Sequence, residues 1–311
     1  MKVTVFGATG FVGSYLIDEL LAQRHLPVAL VRPGSEPRLR QAEHCRVICG
    51  DIGDSAAVRE SLTGCDAVIY NIGILREYPR RDISFQKLHF EGAKRAMHAA
   101  TEQGVKRFLL MSANGVRADG TAYQRTKYLA EEYLKTTPLD WTIFRPSVVF
   151  GDPRGKMEFA TQLYDEIVAS PLPMPLFHNG LLPTGAGRFA LSPIHVRDVA
   201  RVFVQALGMP ETAGRTYALG GPQDLDWKTI LTTLSQATGR HKLALPVPAW
   251  NVKLVASLLE RFEWFPVTRD QITMLMEGNT CDASAAMATF QIEPIPFDTD
   301  SLAYLRLARG S

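Results

Sequence analysis

The chain has 311 residues, of which 46% are hydrophobic and 21% charged, an ordinary soluble composition with length enough for one large α/β unit or two smaller lobes and a substantial buried core. Its 34 basic residues against 32 acidic ones leave a formal charge of +2, which gives neither the footprint of a nucleic-acid binder nor a long basic tail for a membrane surface, so small molecules are the expected partners. Cys45, Cys49, Cys65 and Cys281 form no CxxC pair, so they read as reduced thiols of a cytosolic chain and give a metal site little support.

The first predicted element is a buried strand from Lys2 to Phe6. No room is expected before it for a signal or transit peptide, and no apolar run reaches membrane-spanning length. The expected location is therefore the cytoplasm, with at most a peripheral contact to a membrane or a complex. After the glycine-rich run at 7 to 13, Leu16, Leu20 and Leu21 mark a helical face. Strands are predicted at Pro27 to Val31, Arg46 to Cys49, Ala67 to Ile72, Arg107 to Met111 and Trp141 to Phe144. Helical periodicity fills the gaps, at Val58 and Leu62, from Phe85 to Gln103 and from Tyr123 to Lys135. Strands alternating with helices imply an α/β fold with a Rossmann-type, doubly wound parallel sheet.

Beyond Arg145-Pro146 the rhythm changes. Pro171, Pro173, Pro175 and Pro183 with Gly180, Gly185 and Gly187 predict an irregular, substrate-facing excursion that lasts until about Ser192. A helix after Val196-Arg197-Asp198 and a strand from Thr216 to Leu219 are expected to return to the first lobe, and Trp227 to Thr238 and Pro248 to Phe262 read as further helices. The expected division is a nucleotide-binding domain over 1–151, rejoined by 192–222, and a smaller lobe from 152–191 and 223–311. No internal repeat or low-complexity tract is visible.

The run Gly7-Ala8-Thr9-Gly10-Phe11-Val12-Gly13 follows a strand and opens a helix, the context that separates a dinucleotide loop from a chance glycine pattern. Gly7 permits the tight turn, Gly10 lets the backbone approach a pyrophosphate, and Gly13 allows close packing of helix on strand. The helix N-terminus then faces the phosphates; an unliganded strand-to-helix turn is the alternative. Where the second strand ends, an acid would read the ribose hydroxyls of NAD, but the sequence has Arg32, with Arg38 and Arg40 nearby. A fixed guanidinium there suits the 2'-phosphate of NADP(H), the favoured cofactor, with NAD(H) the alternative should Arg32 be only an exposed strand-end charge. Asp51-Ile52 and Asn71-Ile72-Gly73 end the third and fourth strands, where they can contact adenine and ribose; Asp51 can equally cap the helix beginning near Ser55.

On these residues the chain resembles an atypical branch of the extended short-chain dehydrogenase/reductases, the group with the nucleotide-binding accessory subunit of respiratory complex I and its bacterial relatives. The resemblance spans nearly the whole length. It rests on GATGFVG at 7 to 13, GVKRFLLMSANG at 104 to 115, YQRTK at 123 to 127, RPSVVFG at 145 to 151, IHVRDVA at 194 to 200, YALGGP at 217 to 222 and PVTRDQITML at 266 to 275. It implies a cofactor lying across the sheet with the nicotinamide near the Tyr123 helix, the segment with Pro146 and Val148 lining its far end, and a small interleaved C-terminal lobe over the substrate. Some members resemble structural or assembly proteins that retain a bound nucleotide.

Tyr123 and Lys127, four apart on a predicted helix, share a face and can converge on one ligand. The ammonium of Lys127 is expected to favour tyrosinate and to bond the nicotinamide ribose, leaving Tyr123 as general acid or base; an exposed helix pair is the alternative. Ser112, at the end of the fifth strand, completes the set by orienting a substrate oxygen. In the resemblance, His89 of LHFEGAKR stands where active members carry asparagine, which leaves it as a packing or capping group or a proton relay. His195 is equally undecided, and Asp198 reads as a helix cap.

From Trp250 to Phe265 the residues Trp250, Val252, Leu254, Val255, Leu258, Leu259, Phe262, Trp264 and Phe265 form a broad apolar stripe, best explained by a core-facing helix. A lid over a hydrophobic substrate, or a surface touching a membrane or partner, is the sharper alternative. Two functions stand in competition. The first is an NADPH-dependent oxidoreductase on a small carbonyl, alcohol or quinone-like substrate, with an NAD-dependent epimerase or dehydratase as a variant. The second is a non-catalytic dinucleotide-binding redox sensor or assembly factor of a respiratory complex.

Overall fold

The computed structural model describes residues 1–180, 182–262, 265 and 267–307; Trp264 of the apolar stripe and Pro266 of the PVTRDQITML run lie outside them. In chain order the first half contains β1 (Lys2–Phe6), α1 (Phe11–Ala22), β2 (Leu26–Val31), β3 (Arg46–Cys49), α2 (Ser55–Leu62), β4 (Ala67–Tyr70), α3 (Gly92–Glu102), β5 (Arg107–Met111), α4 (Ala122–Lys135) and β6 (Asp140–Pro146). There follow β7 (Val149–Phe150), α5 (Phe159–Leu163), β8 (Met174–His178), β9 (Ala190–Leu191), β10 (Ile194–His195), α6 (Val196–Leu207) and β11 (Arg215–Leu219). The last elements are β12 (Leu225–Asp226), α7 (Trp227–Ala237), β13 (Ala244–Pro248), α8 (Ala249–Leu259), α9 (Arg269–Glu277), α10 (Ser284–Phe290) and α11 (Tyr304–Leu307).

Seven strands form one sheet in the order β3-β2-β1-β4-β5-β6-β11, and every pairing is parallel. This is the doubly wound Rossmann-like arrangement. The central strands are covered on both faces, all of β4 and all of β5 being buried, whereas the edge strands β3 and β11 carry exposed residues. Alternate residues divide between the faces. Phe6, Val28, Val68, Tyr70, Phe108 and Ile143 enter one core cluster with residues of α2, α3 and α4. On the opposite face Phe144 of β6 meets Phe203 of α6 at 4.4 Å. The order reverses between β1 and β4, and the carboxyl ends of those strands are where a doubly wound sheet leaves a ligand crevice.

Two compact units are present. The first comprises Met1–Pro146, Val196–Leu219 and Ala283–Ile292. The pattern of residues predicts all of 223–311 in the second lobe, whereas α10 packs in the first unit, Phe290 lying 5.2 Å from Tyr217 and 5.8 Å from Phe144. Asp198 is not the cap the sequence suggested; it lies inside the first turn of α6, fully buried, 4.0 Å from Arg201.

The second unit comprises Ser147–His195, Gly220–Asp282 and the chain from Glu293. It contains the short pairs β7 with β10, β8 with β13 and β9 with β12, and its core includes Trp227, whose ring lies 5.5 Å from Phe189 and whose Nε1 donates to the carbonyl of Pro175 at 2.8 Å. The excursion read as irregular contains α5, a π-helical turn over 164–168 and β8. The Glu158 carboxylate starts this helix by accepting from the amides of Ala160 and Thr161.

The helix predicted at Pro248 to Phe262 is present as α8, but its apolar stripe is not a core face. Only Ala249 and Ala256 of α8 are buried, Val252 packs against the second unit's core, and Trp250, Leu254, Val255, Leu258 and Phe262 are exposed. The two small residues face inward, so the large ones are turned to solvent. Among the described residues no helix is long and apolar enough to cross a membrane, and no group of His, Cys, Asp and Glu stands together for a metal ion.

Candidate functional site

The loop after β1 has the steric form that a dinucleotide requires. Gly7 adopts φ +92°, a region open to glycine, and a Cβ there would lie 3.0 Å from the carbonyl of Asn71. The Gly10 amide donates to the Gly7 carbonyl at 3.0 Å, closing the turn. A Cβ on Gly13 would stand 2.1 Å from that same carbonyl oxygen, so no larger residue fits beneath the loop. Gly10 caps α1 without a side-chain hydrogen bond and the first turn carries no acid, which leaves the amides of Phe11, Val12 and Gly13 as orphan donors with the positive end of the helix dipole behind them. Thr9, Phe11 and Val12 are part-exposed around this opening, as an anionic pyrophosphate needs.

Arg32 lies exposed one residue beyond β2. Arg40 is held 3.8 Å from Asp18, whereas the guanidinium groups of Arg32 and Arg38 have no partner among the described residues. Asp51 is not the cap of α2: Asp54 accepts from Ala56 and Ala57 in that role, while Asp51 accepts from the Gly53 amide at 2.8 Å. Ile52 is buried, its carbonyl accepting from Arg95 at 2.9 Å.

Lys127 ties the ends of two strands together. Its buried ammonium donates to the Met111 carbonyl at 2.9 Å and to the Ile72 carbonyl at 3.3 Å, and a Cβ on Gly73 would be 3.6 Å from it. Asn71 continues the strand by donating to the Phe6 carbonyl at 2.9 Å. Burial pulls the pKa of Lys127 down to about 8, with Glu131 opposing. Glu131 is itself buried and bound in two places by Arg145, a pairing that no local sequence signal announces.

The Tyr123 ring stands edge-on to Phe85 at 5.7 Å and to His89 at 5.2 Å. Against this aromatic wall burial pushes the phenol up to about 12, the opposite direction to the lysine-lowered phenol expected from the i,i+4 spacing. Phe85 was absent from the predicted site; its helical spacing to His89 was the available signal. Ser112 is only 3% exposed, and its Oγ has no hydrogen-bond partner among the described residues. Pro146 ends β6 in the first unit, whereas Val148 belongs to the second unit and packs against its core.

His89 is a structural link rather than a titrating relay. Its Nε2 accepts from the Ile74 amide at 3.1 Å, which puts the ring proton on Nδ1, 3.2 Å from Thr126 Oγ1; Thr126 in turn donates to the Ala122 carbonyl at 2.9 Å. Burial, followed by the nearby charge of Lys127, lowers its pKa to about 2, so the ring is neutral throughout the physiological range. The chain of bonds fixes the segment after β4 to the helix that carries Tyr123 and Lys127. His89→Leu leaves the part-buried Ile74 amide unpaired, and is expected to destabilise the protein by about 1 kcal/mol in urea unfolding; an unchanged midpoint contradicts the link. His195, in the second unit, is buried with its ring 5.1 Å from that of Phe150. Burial pushes Cys45 and Cys281 up to about 11, so neither is an activated thiol.

A family model described as NAD(P)H-binding matches residues 7–168. The mitochondrial 40 kDa subunit of NADH-ubiquinone oxidoreductase from Neurospora crassa is 27% identical over 99% of this chain and 80% of its own length. The mitochondrial NADH dehydrogenase [ubiquinone] 1 alpha subcomplex subunit 9 of Arabidopsis thaliana is 31% identical over 70% of this chain and 53% of its own. A chloroplastic divinyl chlorophyllide a 8-vinyl-reductase from Oryza sativa subsp. indica is 26% identical over 71% of this chain and 54% of its own. Among solved structures, that of gox2253 superposes with a TM-score of 0.77 at 24% identity over 99% of this chain and 98% of the other. The UDP-glucose 4-epimerase of Thermus thermophilus in complex with NAD gives 0.72 at 17% identity, with full coverage of both chains. At these identities the two structures establish the fold alone.

Proposed function

Because this chain belongs to the NAD(P)H-binding family, we propose that it is an NADPH-dependent oxidoreductase acting on a small carbonyl, alcohol or quinone-like substrate. The observation that carries this reading is Ser112. A buried hydroxyl left without a partner costs about 1–3 kcal/mol, and here it stands at the carboxyl end of β5 within a fold that binds its ligands at strand ends. A substrate oxygen is the partner that recovers this cost. The glycine loop and the open first turn of α1 hold the pyrophosphate, and Asp51, Ile52, Asn71, Ile72 and Gly73 line the adenine and ribose side. Arg32, with Arg38 beside it, reads the 2'-phosphate.

When bound, the nicotinamide supplies hydride chemistry. The protein's own residues supply the proton and its placement. Ser112 holds the substrate oxygen by hydrogen bond. Tyr123, protonated at neutral pH because burial raises its phenol, delivers its proton to that oxygen as negative charge develops there, and is left as tyrosinate until solvent restores the proton. Lys127, positioned by the carbonyls of Met111 and Ile72, keeps an N–H for the ribose and a charge that steadies the transient tyrosinate.

A second reading is favoured by a specific observation. The Neurospora crassa and Arabidopsis thaliana relatives are subunits of a respiratory enzyme, and His89 is committed to structural bonds at the position where the family resemblance implies an asparagine in active members. In that reading the nucleotide is retained as a redox sensor or as a support for an assembly, without turnover. An NAD-dependent epimerase or dehydratase uses the same three groups, and Arg32 argues against it.

Calorimetric titration of cofactor-stripped protein with NADPH and NADH, repeated on Arg32→Ala, tests the cofactor assignment. A charge-assisted bond to a phosphate contributes about 1.5–3 kcal/mol, so NADPH is expected to bind roughly 10- to 100-fold more tightly than NADH, and the variant to lose that preference. Equal binding of the two favours the epimerase-like alternative. Binding of neither removes the proposal.

A further inference from the structure

Trp250, Leu254, Val255 and Leu258 lie within an arc of roughly 140° on α8 at 100° per residue, with Phe262 just beyond its end. They are between 40% and 63% exposed, an unusual investment of large side chains in contact with water. Ala249 and Ala256, on the opposite face, hold the helix to its own unit. The large side chains are therefore not awaiting a place in that core.

Charge identifies the occupant. From Arg240 to Phe265 the sequence has four basic residues, Arg240, Lys242, Lys253 and Arg261, against two acids, Glu260 and Glu263, so this short stretch carries a surplus equal to the +2 of the entire chain. Arg261 lies with its guanidinium 4.8 Å over the Phe262 ring, placing a cation at the border of the apolar face. Leu243 and Leu245, in the same basic stretch, are also exposed. A second copy of this chain is a poor occupant, because a two-fold contact sets the same basic residues against themselves. With 11 residues, at 1.5 Å per residue, α8 is about half as long as a bilayer's hydrocarbon core is thick.

We infer that α8 docks in the plane of a membrane containing anionic lipid, with Trp250, Leu254, Val255, Leu258 and Phe262 entering the boundary between headgroups and acyl chains and Lys253 and Arg261 meeting the phosphates. A tryptophan at one end of the helix and a phenylalanine beyond the other suit that depth. The inference is independent of the reaction: it places the protein on a surface whatever the substrate.

The test is co-sedimentation of the full chain with phosphatidylcholine vesicles and with vesicles containing one quarter phosphatidylglycerol, together with hydrogen exchange over 249–262. Binding is expected to the anionic vesicles, to weaken with salt, and to protect this segment. Leu254→Ser/Leu258→Ser is expected to lower partitioning at least tenfold while NADPH affinity, reported by the first unit, is unchanged. Lys253→Glu/Arg261→Glu is expected to abolish the preference for anionic lipid. The inference is overturned by absence of binding, by binding that the serine variant retains, or by equal binding to neutral vesicles. It is also overturned by a wild-type dimer that the serine variant dissociates, since the face then belongs to a second copy.

Discussion

Replacing Tyr123 by phenylalanine is expected to lower turnover by about 10²–10⁴-fold, the range contributed by a positioned general acid, while the dissociation constant for NADPH stays within twofold of wild type. The ring is retained by the substitution, so its edge contacts with Phe85 and His89 survive and the wall of the site keeps its shape. Only the proton is lost. With the phenol pushed up to about 12, the wild-type rate should be insensitive to Tyr123 ionisation near neutrality and should fall only as pH approaches that value, because the acid form is the active one. Steady-state kinetics of the two proteins with a panel of carbonyls and quinones give the result directly. If the variant keeps its cofactor and its cellular role with no reaction to lose, the non-catalytic reading stands.

Lys127→Met is expected to uncouple stability from pH in the alkaline range. In the native protein the pKa of Lys127 is about 8, below its ordinary value of 10.5, because burial disfavours the ammonium. Below pH 8 both native and unfolded chains carry the charge and the native state bears the desolvation cost. Between pH 8 and 10.5 the native state gives up its proton first, so the unfolded chain binds more protons and stability rises with pH. The contribution is on the order of 3 kcal/mol for a shift of this size. Urea unfolding of the cofactor-free proteins at pH 7 and pH 10.5 should show wild type gaining on the methionine variant by that amount. A difference that does not change with pH would mean that the ammonium remains solvated. Loss of NADPH affinity in the same variant, expected at tenfold or more, separates the ribose contact from the stability effect.

Much of the first unit was legible in the sequence because its physical requirements are local. Parallel strands covered on both faces read as short runs dominated by apolar residues, and the strands from Lys2 to Phe6 and from Arg107 to Met111 are legible to the residue. The glycine loop was legible for a steric reason: the carbonyl of Gly7 leaves no space for a side chain at position 13, and the sequence must show that restriction. Other features depend on what comes to lie opposite. That Asp51 does not cap α2 depends on which residue immediately precedes its first turn, and Asp54 stands there. The role of His89 rests on an amide 15 positions earlier and a hydroxyl 37 positions later. Periodicity also misled at α8, since it records that apolar residues share a side and is silent about whether that side has a neighbour. The direction of the Tyr123 shift required knowledge of Phe85 and His89 at its faces, which a spacing of four to Lys127 does not contain.

The return of α10 to the first unit bears on the order of events during synthesis. Phe290, on that helix, closes over Phe144 and Tyr217 on one face of the seven-stranded sheet. A ribosome delivering this chain exposes the glycine loop and the first six strands early, and α6 brings Phe203 to Phe144, but the part of the Phe144 and Tyr217 surface that Phe290 covers stays open until residues 283–292 have left the tunnel. The unit that carries the glycine loop is thus begun first and finished almost last. During that interval the apolar edge formed by Phe144 and Tyr217 is a natural hold for a chaperone, and a stop codon anywhere before position 283 makes the interval permanent.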